Sequence, residues 1–188
     1  MKVSEFVSKA KYIADNLATT YALGTWGWAG MDKMKTRAIN KNQTNKNLAN
    51  KIKALPASGF MFDCGGIIKG IIWGFSANPN KIYGGAGYAC NGLPDTGNLI
   101  AYCHDVSTDF NHIKTGEIVY MPGHVGICVD GETGLVVEAT TKWESKVLYS
   151  YIYEKNPNAK KARKWDKHGM LNCLEDDIKV CPTCGRPL

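Results

Sequence analysis

Apolar positions along this chain change period once, and the change divides it into a helical first part and a stranded second part. Phe6, Ala10, Ile13 and Leu17 recur at helical spacing and predict an N-terminal helix with one buried face. Ile67, Ile68, Ile71, Ile72 and Phe75 recur at i, i+1, i+4, i+5 and i+8, a broad apolar stripe that predicts a second, deeply buried helix. From Gly116 the period becomes two. Strands are predicted over Glu117 to Met121 and Val147 to Tyr153, with a hairpin between them. In that hairpin Val125, Ile127 and Val129 alternate with His124, Gly126 and Cys128. After Asp130-Gly131-Glu132-Thr133-Gly134 the alternation resumes, with Leu135, Val137 and Ala139 against Val136, Glu138 and Thr140. Helices first and an antiparallel sheet after give an α+β fold.

The segments between are irregular. Gly24 to Gly30, with Trp26 and Trp28, reads as a glycine and tryptophan loop. Residues 31–58 are rich in Lys and Asn, and with only Leu48, Ile52 and Leu55 to suggest a period they read as an exposed, partly helical insertion. Asn78-Pro79-Asn80 and Tyr83-Gly84-Gly85-Ala86-Gly87-Tyr88 form a long loop after the second helix.

At 188 residues and 44% hydrophobic content, the chain is long enough for one compact domain, expected over 1–172, with a cysteine-containing tail over 173–188. Glu5 and Lys9 interrupt the scattered apolar residues of the N-terminus, so no secretory segment is expected there. Lys69 interrupts the most apolar stretch, so no membrane partner is expected. The formal charge of +6 favours an anionic partner, such as an anionic wall polymer. Its lysines are dispersed rather than interleaved with aromatic residues in a nucleic-acid-binding motif, so nucleic acid is not the expected partner.

Chemistry enters at Phe62-Asp63-Cys64-Gly65-Gly66. Asp63 is a natural N-cap for the isoleucine helix, and Cys64 becomes its first residue. Unpaired N–H groups and the helix dipole favour a thiolate at such a position, while the Asp63 charge opposes it. If the hairpin ladder is symmetric about Glu132, His124 and Glu138 are diagonal neighbours on one face, with Cβ atoms ~7 Å apart. Gly126 then lies across from Glu138 and leaves space beside it. A carboxylate could hold one imidazole nitrogen while the other faces a thiol, which is the nucleophile, base and orienter arrangement.

These segments resemble a known family. Asp63-Cys64-Gly65-Gly66, Gly116-Glu117-Ile118-Val119-Tyr120, Gly123-His124-Val125-Gly126-Ile127 and Val137-Glu138-Ala139 are similar to the motifs of NlpC-type cysteine peptidases, and Tyr21-Ala22-Leu23-Gly24 to the motif that precedes the family cysteine. Asp63 to Gly70 and Trp165-Asp166-Lys167-His168-Gly169 resemble the version found in phage and prophage lysis proteins of Gram-positive hosts. The resemblance implies a papain-like α+β fold whose nucleophile sits at a helix N-terminus packed on an antiparallel sheet. It implies Cys64 as nucleophile, His124 as base, Glu138 as the third polar residue, and Tyr21 and Asp63 as substrate-site residues. It further implies a peptidoglycan substrate, a cytoplasmic origin with action on the wall after release, and no cofactor. Two positions depart from the family pattern: Gly65 stands where serine is frequent, and Glu138 where histidine is frequent.

Alternative readings remain open. A CHAP-type amidase uses a similar Cys, His and acidic set but cuts between sugar and peptide. A papain-like acyltransferase and a non-catalytic wall-binding protein are the others. Of the seven cysteines, Cys90, Cys103 and Cys128 read as packing residues. Cys103-His104 is a rival catalytic pair, and His168, Cys173, Cys181 and Cys184 could together bind zinc.

Overall fold

The computed structural model describes residues 1–177, so Cys181 and Cys184 lie outside the described residues. In chain order the elements are α1 (Val3–Asn16), β1 (Thr19–Tyr21), β2 (Trp26–Ala29), α2 (Asp32–Lys41), α3 (Gln43–Asn47), α4 (Ala49–Ala54), β3 (Phe60–Phe62) and α5 (Cys64–Ile72). There follow β4 (Cys103–Ser107), β5 (Ile118–Met121), β6 (His124–Asp130), β7 (Leu135–Thr140), β8 (Lys146–Ile152), β9 (Ala162–Arg163) and β10 (Lys167–Leu171). The fold is α+β. A seven-stranded sheet has the order β4-β10-β5-β6-β7-β8-β9, antiparallel except for the parallel β8–β9 pair. A second sheet of three strands has the order β1-β3-β2.

Helix α5 joins the two sheets. Ile67, Ile68, Ile71 and Ile72 are each at most 1% exposed, and the helix packs on β2, β6 and β7. Burial of each isoleucine contributes about 1.5–3 kcal/mol. The approach to β2 is close because two glycines of α5 face it. A Cβ on Gly66 would stand 1.8 Å from the Thr25 carbonyl oxygen, and one on Gly70 would stand 2.7 Å from that of Trp26. Val125, Ile127, Val129, Val137 and Ala139 share the main core with α1 and α5, as the period-two pattern predicted.

The hairpin register near its open end is also as expected. Ile127 pairs with Val137 and Cys128 with Val136, before a bulge shifts the ladder so that Asp130 pairs with Leu135. The opposite face of the sheet differs from expectation. It is covered by Phe110, Ile113 and Trp165, which pack on Val119, Cys128, Val136 and Ile152 to form a second core. The space predicted beside Gly126 is therefore filled: a Cβ there would meet the Trp165 ring at 3.3 Å and Val136 Cγ1 at 2.7 Å.

Several other expectations change. Part of the glycine and tryptophan loop is strand β2, with Trp28 2% exposed. The 31–58 insertion is three helices whose Met34, Ala38, Ile52 and Leu55 build a core with Ala22, Trp28 and Met61. Short apolar contributions from α2 and from the α4 segment close this core, which is why no sustained period announced it. Residues 173–177 dock rather than trail: Leu174 is buried, Val3 N–H donates to the Glu175 carbonyl (3.0 Å), and Ser4 N–H donates to the Asp177 carboxylate (3.0 Å). Asp177 thereby satisfies an unpaired donor in the first turn of α1.

The glycine contacts separate two neighbouring positions. Gly66→Ala should destabilise the protein by about 3 kcal/mol or more, because the obstacle is backbone. Gly65→Ala, whose Cβ would meet its nearest heavy atom at 3.6 Å, should stay within about 1 kcal/mol of wild type. Urea denaturation of both variants checks this, and equal losses would contradict it.

Candidate active site

The turn that delivers His124 is tight. Pro122 and Gly123 connect Met121 to its partner His124 across the β5–β6 hairpin, and Gly123 takes φ +78°, the left-handed conformation glycine adopts freely. His124 is thus the first residue of β6, at the rim of the large sheet. Cys64 is the first residue of α5, and Asp63 is its N-cap, accepting from Gly66 N–H. The second Asp63 oxygen accepts from Gly24 N–H at 2.6 Å. One carboxylate therefore ties the start of α5 to the Tyr21–Gly24 segment. That segment is held from behind by buried Asn45, which accepts from Leu23 N–H (2.7 Å) and donates to the Leu23 and Ala38 carbonyls.

A cleft of about 320 Å³ is lined by Cys64 and His124 together, with Asp63, Gly65, Lys69, Leu99, Tyr120 and Val125 among its walls. Tyr21 is not one of the lining residues. It is 9% exposed, and its hydroxyl faces the Cys64 thiol from the protein side. Burial, then the charges of Cys64 and Asp63, push the Tyr21 hydroxyl far above its usual range, so it is a neutral hydrogen-bond donor.

Glu138 holds the other side of the imidazole. His124 Nε2 and Glu138 Oε2 form a short hydrogen bond, and Glu138 has no solvent exposure. Two groups complete this arrangement: Arg163, which no motif marked, and Trp165, which stands in a marked motif without an expected site role. Arg163 donates from Nε to Glu138 Oε1 (3.2 Å), while its NH2 nitrogen lies 2.9 Å from Oε2. Its guanidinium lies over the rings of Trp143 and Trp165, 5.0 and 5.4 Å from their centroids. Trp165 in turn stacks on the His124 ring, 5.5 Å between centroids and 12° from parallel. Burial alone would raise the Glu138 carboxyl, but His124 first, then Arg163, bring it below its usual range. Glu138 is ionised at neutral pH.

At the thiol the opposing influences expected at this helix start do not balance. Burial, and after it the Asp63 charge, hold Cys64 above its ordinary range. The backbone N–H groups of Gly65, Val125 and Cys64 oppose this without prevailing. Desolvation outweighs the helix-terminus effect here, so the resting group is a thiol. Burial raises Asp63 itself, against the N–H groups of Gly24 and Gly66 and the charges of Lys69 and Lys41.

Among the described residues the rival chemistry is not assembled. His104 is half exposed and paired with Asp105 (3.3 Å) on strand β4, and burial pushes Cys103 up to about 12. His168 is buried with both ring nitrogens engaged, Nδ1 by Glu117 (2.6 Å) and Nε2 by the Asp109 carbonyl (3.0 Å). Among the described residues no group of three or more His, Cys, Asp or Glu side chains could hold a metal ion. No helix among them is long and apolar enough to cross a membrane.

No family model matches the chain, and no curated protein matches it. The site geometry therefore carries the functional argument.

Two measurements test this geometry. Alkylation of Cys64 by iodoacetamide should still be accelerating as pH rises past 9.0, the reference value above which this thiol is held. A plateau below about pH 8 would show a thiolate already formed. Arg163→Gln should cost about 3 kcal/mol in urea denaturation, because it leaves the buried Glu138 charge with one fewer cation. A change under about 0.5 kcal/mol would remove Arg163 from this role.

Proposed function

We propose that this chain is a papain-like thiol hydrolase of the NlpC type that cleaves an amide bond in the peptide stem of bacterial peptidoglycan. One observation carries the reading: Cys64 and His124 line the same cleft, and a fully buried carboxylate holds the far nitrogen of the imidazole. The motifs around Tyr21, Cys64, His124 and Glu138 support the peptidoglycan substrate by their resemblance to that family. A phage or prophage lysis role, with release to the wall from the cytoplasm, follows from the same resemblance.

The chemistry uses the groups as they stand. With Nε2 engaged by Glu138, Nδ1 of His124 is the nitrogen left for the thiol. As Cys64 Sγ attacks the amide carbonyl, its proton passes to Nδ1, and the new S–C bond leaves negative charge on the carbonyl oxygen. The Cys64 backbone N–H at the helix start is the natural donor to that oxygen. His124 then gives the proton to the departing nitrogen as the C–N bond breaks, leaving a thioester. Water, deprotonated by His124, attacks the thioester carbonyl, and the thiol is restored. Glu138, kept ionised by Arg163, stabilises the imidazolium through each proton transfer.

Mass spectrometry of fragments released from purified Gram-positive peptidoglycan tests the reading. Wild type should release shortened stem peptides, and Cys64→Ala none. Glu138→Gln should slow release by roughly a hundredfold or more. Intact stems detached from sugar would instead identify an amidase, and no release by the wild type would favour a binding or acyl-transfer role.

A further inference from the structure

Beside the cleft lies a second hollow, of about 380 Å³, lined by Trp26, Trp28, Arg37, Asn40 and Lys41. Its two cations stand one turn apart on α2, a spacing at which like charges destabilise a helix. Both lie over the Trp28 ring, Arg37 Cζ at 5.0 Å and Lys41 Nζ at 5.1 Å from its centroid. Among the described residues neither pairs with a carboxylate. Arg37 bonds to the Tyr83 hydroxyl (3.4 Å), and Lys41 to the Gly24 carbonyl (2.7 Å). The indole N–H groups of Trp26 and Trp28 are buried without an acceptor among the described residues. Positive charge is concentrated here, and Asn40 is the one lining side chain that carries an oxygen acceptor.

We propose that this hollow is an oxyanion-binding site in which Arg37 and Lys41, seated over the Trp28 ring, hold a phosphate or carboxylate group. Arg37 can present a planar fork to such a group, and Lys41 a point charge. The site adjoins the catalytic cleft by two routes. Lys41 holds the carbonyl of Gly24, whose N–H is bound by Asp63. Trp26 packs on the exposed Tyr88 (centroids 5.7 Å apart), whose hydroxyl donates to Asp95, the partner of cleft-lining Lys69. An anionic substituent bound in the hollow would anchor a polymer whose neighbouring peptide enters the cleft. That extension rests on the proposed function, whereas the oxyanion site does not.

Titration with sodium phosphate and, separately, sodium acetate, at ionic strength held constant with chloride and followed by tryptophan fluorescence, tests the site. Wild type should give a saturable change. Arg37→Gln/Lys41→Gln should weaken it roughly tenfold or more, a loss of about 1.4 kcal/mol. Lys46→Gln/Lys53→Gln, which removes the same charge from exposed positions elsewhere on the insertion, should leave it intact. Asn40→Asp, which sets a carboxylate in the hollow with little change of shape, should also abolish it and serves if the double variant fails to fold. Saturation by phosphate alone points to a phosphate-bearing wall polymer, and saturation by acetate to stem-peptide carboxylates. No saturable change in the wild type, or an unchanged one in both Arg37→Gln/Lys41→Gln and Asn40→Asp, would overturn the proposal. The titration does not use Cys64 chemistry, so its failure leaves the hydrolase reading standing, and a failure of hydrolysis leaves this site standing.

Discussion

A carboxylate with no solvent contact must be compensated by the groups packed around it, and for Glu138 those groups are His124 and Arg163. Uncompensated, a buried charge would neutralise itself by taking up a proton. Here the compensation also fixes geometry. The imidazole is held at Nε2 by the carboxylate and on its face by Trp165, and Trp165 with Trp143 flanks the guanidinium that completes the pair. The ring of His124 therefore has little freedom. Each member depends on the chain returning after β8, since β9 supplies Arg163 and the segment into β10 supplies Trp165.

The other half of the site is positioned by backbone approach rather than by charge. Gly66 and Gly70 let α5 lie against β2, and the forked Asp63 carboxylate then ties the helix start to Gly24. The same closeness that places Cys64 also desolvates it. Burial raises the thiol further than three N–H groups can lower it, so in the proposed reaction its proton moves during attack rather than before. In that reaction an ionised Glu138 behind His124 stabilises the positive charge formed on the imidazole where it appears.

Period and local chemistry made much of this legible in the sequence. The isoleucine stripe marked α5, Asp63 marked its start, and the alternation around Glu132 set the register that brings His124 and Glu138 together. What stayed hidden depends on contacts distant in sequence. Arg163 and Trp165 lie in a lysine-rich stretch with no period, and only tertiary packing turns them toward Glu138 and His124. Strands β1, β2 and β3 are three or four residues long, too short to show a period, and β2 is glycine-interrupted. The insertion looked exposed because its buried residues are spread over three short helices. The thiol's direction of shift was not legible, because a helix N-terminus is visible in sequence while the degree of desolvation is not.

The tautomer of His124 tests the central claim most directly. With one of four histidines to assign, ¹⁵N-histidine NMR of the wild type, using a His124→Ala variant for assignment, reads each ring nitrogen separately. In the neutral ring the proton should reside on Nε2, hydrogen-bonded to Glu138, and leave Nδ1 unprotonated. A proton on Nδ1, or a ring that exchanges freely between tautomers, would contradict an imidazole oriented by the buried carboxylate.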